Sequence, residues 1–275
     1  MARYLITDST SSLPAEIISQ YQIKVIPLNV NMPDDSFKEG FGPSNAEFYG
    51  RLRNETVFPT TSQPSAGDFL HIFKQLQPGD EALVILISAS LSGTIQSALM
   101  AEKLLNNPLV QIYIIDSHST CAGLAFQVIK AGELLQTGLS THQIIESIYA
   151  LQSRLELYFV VDNLDYLARG GRISKLRGLI GNIFRLKPIL HLHDGEIKLF
   201  KKVRTSPKAI KKILSLLEDH EGLEKVAIIQ VDAAAEASIL LEQVQRIYSG
   251  PVYIYEPLPV IGSHVGPGTL GLAFY

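Results

Sequence analysis

The sequence predicts two α/β domains, an N-terminal mainly parallel sheet flanked by helices and a C-terminal α/β sandwich. Three observations carry that prediction. In the first half, short β-rich runs alternate with helix-length stretches, as in strand–helix–strand units. The run Ala82-Leu-Val-Ile-Leu-Ile-Ser88 is apolar without alternation, which suits a strand covered on both faces. In the second half, Asp194-Gly195 sits between alternating flanks over 187–202, a strong hairpin signal, with helices following.

Each element follows from its residues. Tyr4 to Thr7 reads as a strand ending in the polar loop Asp8-Ser9-Thr10-Ser11-Ser12. Pro14 opens a short helix, where its missing N–H costs nothing. Lys24 to Val30 reads as one strand. After the apolar run, Ser90-Leu-Ser-Gly-Thr94 is a loop and 95–105 a helix. Val110 to Ile115 reads as another buried strand and 121–135 as another helix. Leu155 to Val161 opens the second half, and Arg169-Gly-Gly-Arg172 precedes the hairpin. Ser206-Pro207 starts a helix to about Leu217. Val226 to Val231 is a strand, Glu236 to Ile247 a helix and Val252 to Tyr255 a last strand. The domains are expected at 1–155 and 156–275.

Composition narrows the function. With 24 Lys+Arg against 27 Asp+Glu, the net charge of -3 lacks the basic footprint of a nucleic-acid binder. Cys121 is the single cysteine, so an intrachain disulfide is impossible and a reducing compartment fits. The start shows no signal-peptide pattern and no run of about 18 apolar residues occurs, so a cytoplasmic chain without a membrane span is expected. There is no G-x-x-x-x-G-K-[ST] loop, no H-E-x-x-H, no C-x-x-C and no G-x-S-x-G elbow. His191 and His193 share one strand face, which is weak support for a metal. Asp116-Ser117-His118-Ser119 mimics a triad in composition only, since sequence neighbours are rarely so arranged. Arg169, Arg172, Arg177 and Arg185 read most simply as a solvated basic surface, or as a docking patch.

Three segments carry chemistry. Thr60-Thr-Ser-Gln-Pro-Ser65 precedes a helix expected near Gly67, and Ser88-Ala-Ser-Leu-Ser-Gly-Thr94 joins a buried strand to a helix. Ligands of parallel α/β sheets sit beyond the strand carboxyl ends, where free N–H groups at the next helix favour an anion. Ser92 and Thr94 add hydroxyls, and Gly93 permits close backbone approach. Taken alone, either loop is more simply a plain N-cap, and only the two together bring the capping and anion-binding readings level. The third segment is the glycine-rich loop 261–271, in which His264 stands among glycines. Its match to G-x-G-x-x-G is accidental, because too few residues follow to form a helix.

Taken together, these segments resemble the DegV family, the fatty-acid-binding subunits of bacterial fatty acid kinase. The resemblance runs nearly end to end. It takes in Asp8-Ser9-Thr10, Thr61-Ser62-Gln63-Pro64-Ser65, Leu91-Ser92-Gly93-Thr94, Leu167 to Arg172, Val203-Arg204-Thr205, and His264-Val-Gly-Pro-Gly268 with the terminal 271–275. It implies a fatty acid buried between two domains, its carboxylate meeting Thr61, Ser62, Ser92, Gly93, Thr94 and His264. It implies a separate ATP-dependent kinase subunit that makes the acyl phosphate for phospholipid synthesis, with Arg204 matching an Arg tied to that step; Arg169 and Arg172 are expected beside it as a docking surface or support for the transfer. No cofactor, metal or catalytic residue of this chain's own is implied. Ala66 and Gly67 depart from the family, where a proline is more usual. A protonated His264 would further steady the carboxylate. Two rivals remain at this stage. One is a hydrolase with Ser92 as nucleophile and His264 as base. The other is a phosphate or nucleotide sensor whose site takes in the Asp8-Ser9-Thr10 loop.

Overall fold

A computed structural model describes residues 2–54, 58–172 and 186–275. The chain begins with β1 (Arg3–Asp8), a 3-10 turn (Ser9–Ser11), α1 (Ala15–Gln20), β2 (Lys24–Ile26), β3 (Asn29–Asn31), β4 (Ser36–Lys38), α2 (Asn45–Asn54), β5 (Thr60–Ser62) and α3 (Ala66–Phe73). There follow β6 (Glu81–Leu86), α4 (Thr94–Leu105), β7 (Gln111–Asp116), α5 (Cys121–Leu135) and α6 (Thr141–Gln152). The second half holds β8 (Glu156–Val160), α7 (Asp165–Arg169), β9 (Lys187–His193), β10 (Glu196–Val203), α8 (Ser206–Glu218), β11 (Val226–Val231), α9 (Ala234–Val244), β12 (Val252–Tyr255), α10 (Pro259–Val265) and β13 (Thr269–Phe274).

The expected α/β architecture is present. A parallel sheet of order β2-β1-β6-β7 draws on the first half, and a mixed sheet of order β10-β9-β8-β13-β11-β12 takes every strand among the described residues from 156 onward. A third, antiparallel sheet of order β4-β3-β5 was not foreseen. Phe69, Phe73, Ile95 and Ala98 of α3 and α4 cover one face of the parallel sheet. Leu124, Val128, Ile144 and Ile148 of α5 and α6 cover the other. The outer face of the mixed sheet is covered by Ile213 and Leu217 of α8 and Leu240 and Val244 of α9.

Helix α5 has no outward face over most of its length. Every residue from Cys121 to Ile129 is buried, and the helix touches β1 and β6 on one side and β11 and β13 on the other. A helix apolar all round belongs in a core. Ala122, Gly123 and Ala125 keep it thin enough for both sheets to close on it.

Several strand assignments change. Lys24 to Val30 is two strands in two sheets, because Pro27 has no N–H for a ladder and ends β2 at Ile26. β7 is an edge strand with an exposed Gln111, so only one of its neighbours shields it. Thr60 to Ser62 is not a loop; it pairs with Asn29–Asn31. Val252 to Tyr255 is not the last strand, since β13 follows and lies between β8 and β11. The expected helix 236–247 begins and ends earlier, at Ala234 and Val244.

Candidate functional site

Three segments far apart in sequence meet at one cavity. The first is β5 with the residues after it. Its register sets Val30 against Thr61 and Asn29 against Ser62. Asn29 Nδ2 donates to Ser62 Oγ at 3.2 Å and to the Gln63 carbonyl at 3.3 Å, fixing the strand end. Ser65 then caps α3 in a reciprocal box with Asp68, so the absent family proline leaves the helix start intact.

The second segment is the turn after β6. Ile87 N–H donates to Asp8 Oδ2 at 2.7 Å and Ser92 N–H to the Ser88 carbonyl at 3.1 Å. Ser92 and Thr94 hydroxyls share a bond of 2.8 Å. Gly93 leaves room here for the Gln63 side-chain amide, which a Cβ would displace. That amide donates to Ser97 Oγ at 3.0 Å.

The third segment is α10. The glycine-rich stretch is not a loop where His264 lies: Pro259 opens a helix that carries His264 in its last turn. His264 Nε2 lies 2.7 Å from Thr61 Oγ1. Its Nδ1 is buried without a hydrogen-bond partner. An unmet lone pair costs less than an unmet N–H, so the proton belongs on Nε2 and Thr61 accepts it. The Thr61 hydroxyl proton can then point into the cavity. Gly170, just past α7, makes this placement possible, since a Cβ there would overlap His264 Nδ1. Burial, helped by the Arg172 charge, lowers the His264 pKa to about 4. Burial thus favours the neutral ring near pH 7 over the imidazolium that would further steady a carboxylate.

Arg172 is the cation of the site rather than a solvated surface residue. Its Nε donates to the Leu91 carbonyl at 3.2 Å and its Nη1 to the Gly170 carbonyl at 2.5 Å. Burial lowers its pKa, and among the described residues no carboxylate pairs with it. These bonds tie the turn after β6 to the end of α7.

Thr61, Ser62, Gln63, Ser92, Arg172 and His264 thus cluster at one polar end of a shared cavity. Most of the remaining wall is apolar, including Leu28, Ile87, Leu157, Phe159, Leu192 and Ile229, with Thr120, Cys121 and Thr269 as its other polar or sulfur-bearing members. Gly93 and Thr94 back the wall without lining it. Gln63 was quoted in its segment but not singled out; its place beside Gly93 depends on a contact between two segments, which no local pattern reveals.

Other residues lie elsewhere. Arg204 is exposed ahead of α8, and Arg169 is exposed with its guanidinium 3.7 Å from the centre of the Phe58 ring. Arg177 and Arg185 lie outside the described residues. His264 bonds Thr61 and not Ser92, so the nucleophile–base hydrogen bond of a hydrolase is absent. Asp8, Ser9 and Thr10 are buried and bonded inward, so they offer nothing to a phosphate. Among the described residues no cluster of three or more His, Cys, Asp or Glu could hold a metal ion. None of the described helices is long and apolar enough to cross a membrane.

Comparison with known proteins gives one answer. The profile of DegV, described as a family of uncharacterised proteins, matches residues 4–275. A DegV domain-containing protein of Listeria monocytogenes is 36% identical over 276 residues, spanning 98% of this chain and 97% of its own length. Among solved structures, DegV of Bacillus subtilis, titled a fatty acid binding protein, is 34% identical with a TM-score of 0.90, covering 100% of this chain and 99% of its own. A DegV family protein of Thermus thermophilus, titled for its fatty acid binding, is 30% identical with a TM-score of 0.91, at 100% and 99% coverage. With a profile match from the first strand to the last residue and relatives above 30% identity over their whole length, this chain belongs to the DegV family.

Proposed function

We propose that this chain binds one long-chain fatty acid between the lobes formed by residues 1–155 and 156–275, and presents its carboxylate to a separate ATP-dependent kinase subunit. The observation that supports this most is the polarity of the cavity: mostly apolar along its wall, with hydroxyls, a neutral imidazole and one guanidinium gathered at one end. That distribution matches a molecule with one charge and a long tail. The fatty acid binding stated for the B. subtilis and T. thermophilus proteins points the same way.

Each buried methylene contributes about 0.8 kcal/mol, so a tail of about 16 carbons gains on the order of 12 kcal/mol before association costs. The carboxylate needs donors in exchange for water. Thr61, Ser62 and Ser92 supply hydroxyls, His264 orients the Thr61 proton, and Arg172 supplies charge. Gly93 and Thr94 hold Ser92 in place.

Mostly neutral donors leave one carboxylate oxygen nucleophilic. In the transfer, that oxygen bonds to the γ-phosphorus of ATP brought by the partner. The bond from that phosphorus to the bridging oxygen breaks, and ADP leaves with the electron pair. Arg172 offsets the charge that gathers between donor and acceptor. The chain shows no phosphate loop of its own, so this reading makes it a carrier and not an enzyme. Exposed Arg204 and Arg169 are the cations available to an acidic partner surface.

Native mass spectrometry of the purified protein tests the ligand: an added mass of one fatty acid is expected, and a nucleotide mass would overturn the reading. For His264→Ala, affinity should fall about tenfold and acyl phosphate formation about a hundredfold. Full phosphorylation of that variant would refute the imidazole's part. Gly170→Ala should weaken palmitate binding about tenfold in a displacement assay, because His264 must leave Thr61 to accommodate the new methyl. Unchanged affinity would show that the imidazole position is immaterial.

A further inference from the structure

Glu39 follows β4 and does not line the cavity, yet its side chain is buried. Its Oε1 accepts the Val260 N–H at 2.7 Å from 221 residues away, and its Oε2 accepts the Ser9 hydroxyl. Ser9 Oγ in turn accepts the Leu28 N–H at 2.9 Å. Burial pushes the Glu39 pKa up to about 7, with the neighbouring Asp8 charge adding to the rise. A carboxyl kept there despite that penalty calls for a purpose.

Val260 is the second residue of α10, where an N–H has no partner within the helix. The residue in the cap position is Leu258, which has no side-chain acceptor. Tyr49 Oη, Asn45 Nδ2 and Ser12 Oγ all bond Pro257 or Leu258, before the helix begins. Among the described residues, Glu39 alone supplies a side-chain acceptor to the first turn of α10. Val260 and His264 are four residues apart, hence on one helix face, and both line the cavity.

We propose that Glu39 is a positioning residue for His264: by capping α10 it fixes the turn and tilt of a short helix, and thereby holds the imidazole against Thr61. Its relevance to ligand binding rests on the fatty acid reading, but the geometric claim can be tested without ligand.

The test compares Glu39→Met, which keeps length and removes both acceptors, with Glu39→Gln, which keeps an acceptor for Val260. In lipid-free protein, the imidazole nitrogen shifts of His264 at pH 7 report its tautomer. Gln should leave them, and the hydrogen-exchange protection of the Val260 amide, as in the wild type. Met should average the shifts between tautomers, strip the Val260 protection and weaken palmitate binding about tenfold. A folded Met variant with unchanged His264 shifts overturns the proposal, as does a Gln variant disturbed as much as Met. Should Met fail to fold, Glu39→Asp, one methylene shorter, carries the same comparison. A wild type that binds no fatty acid would sink the function while the His264 shifts still decide the role of Glu39.

Discussion

Arg172→Ala is expected to slow acyl phosphate formation about a hundredfold or more, a larger loss than for any hydroxyl of the site. The guanidinium is the one cation among the described lining residues, and two main-chain carbonyls fix it. Under the proposed function it would stand ready before charge develops, with no reorganisation needed at the moment of transfer. Affinity should fall less, about tenfold, because hydroxyls still hold the carboxylate. Arg172→Lys should recover only part of the rate: an ammonium carries the charge but cannot span both carbonyls with a rigid fork. The measurement is a single-turnover assay with kinase subunit and ATP beside a fluorescent-lipid displacement titration. Equal losses in rate and affinity would reduce Arg172 to a plain binding group.

The second large effect concerns stability. Asp8 is buried and accepts from Ile87 N–H at 2.7 Å, Thr10 N–H at 3.0 Å and Thr10 Oγ1 at 2.6 Å. Asp8→Ala strands three buried donors and is expected to cost about 3–5 kcal/mol in urea unfolding. Asp8→Asn, which keeps an acceptor, should cost less. A loss under about 1 kcal/mol for the Ala variant would mean that the turn after β6 does not depend on this carboxyl.

The same carboxyl gives a pH signature. Burial raises Asp8 from 3.8 to about 6 and Glu39 from 4.5 to about 7. Between those values the folded chain holds protons that the unfolded chain has released, so both acids make stability fall as pH rises from about 4 to about 7. His264, lowered from 6.5 to about 4, works the other way: the unfolded chain holds the extra proton, and stability rises across about pH 4 to 6.5. Asp8→Asn removes one falling contribution. Between about pH 5 and 7.5 this variant should lose less stability than the wild type, by roughly 1–2 kcal/mol.

Much of this was legible in the sequence because it is local. The run over 82–88 predicted a central strand, and β6 lies there between β1 and β7. Asp194-Gly195 predicted the hairpin, and both residues take left-handed backbone at its turn. Val226 to Val231 was placed to the residue. Thr61, Ser62, Ser92 and His264 were singled out before any geometry, and they share one cavity. What escaped was set by partners distant in sequence. Thr60 to Ser62 is a strand only because Asn29–Asn31 lies beside it. His264 is helical only with α10 packed against α7 and α2. Glu39 stands in a polar stretch, and nothing near it announces a bond to residue 260. Arg172 looked like its exposed neighbours in composition; only the carbonyls of Leu91 and Gly170 set it apart.

Helix α5 limits how far the two sheets can separate. Because both sheets lean on it, there is no seam along which the halves can part like the covers of a book without wetting Ala122, Ala125 and Phe126. On the fatty acid reading proposed above, a ligand would enter and leave through small local rearrangements of the cavity wall, while the spine of the molecule stays shut.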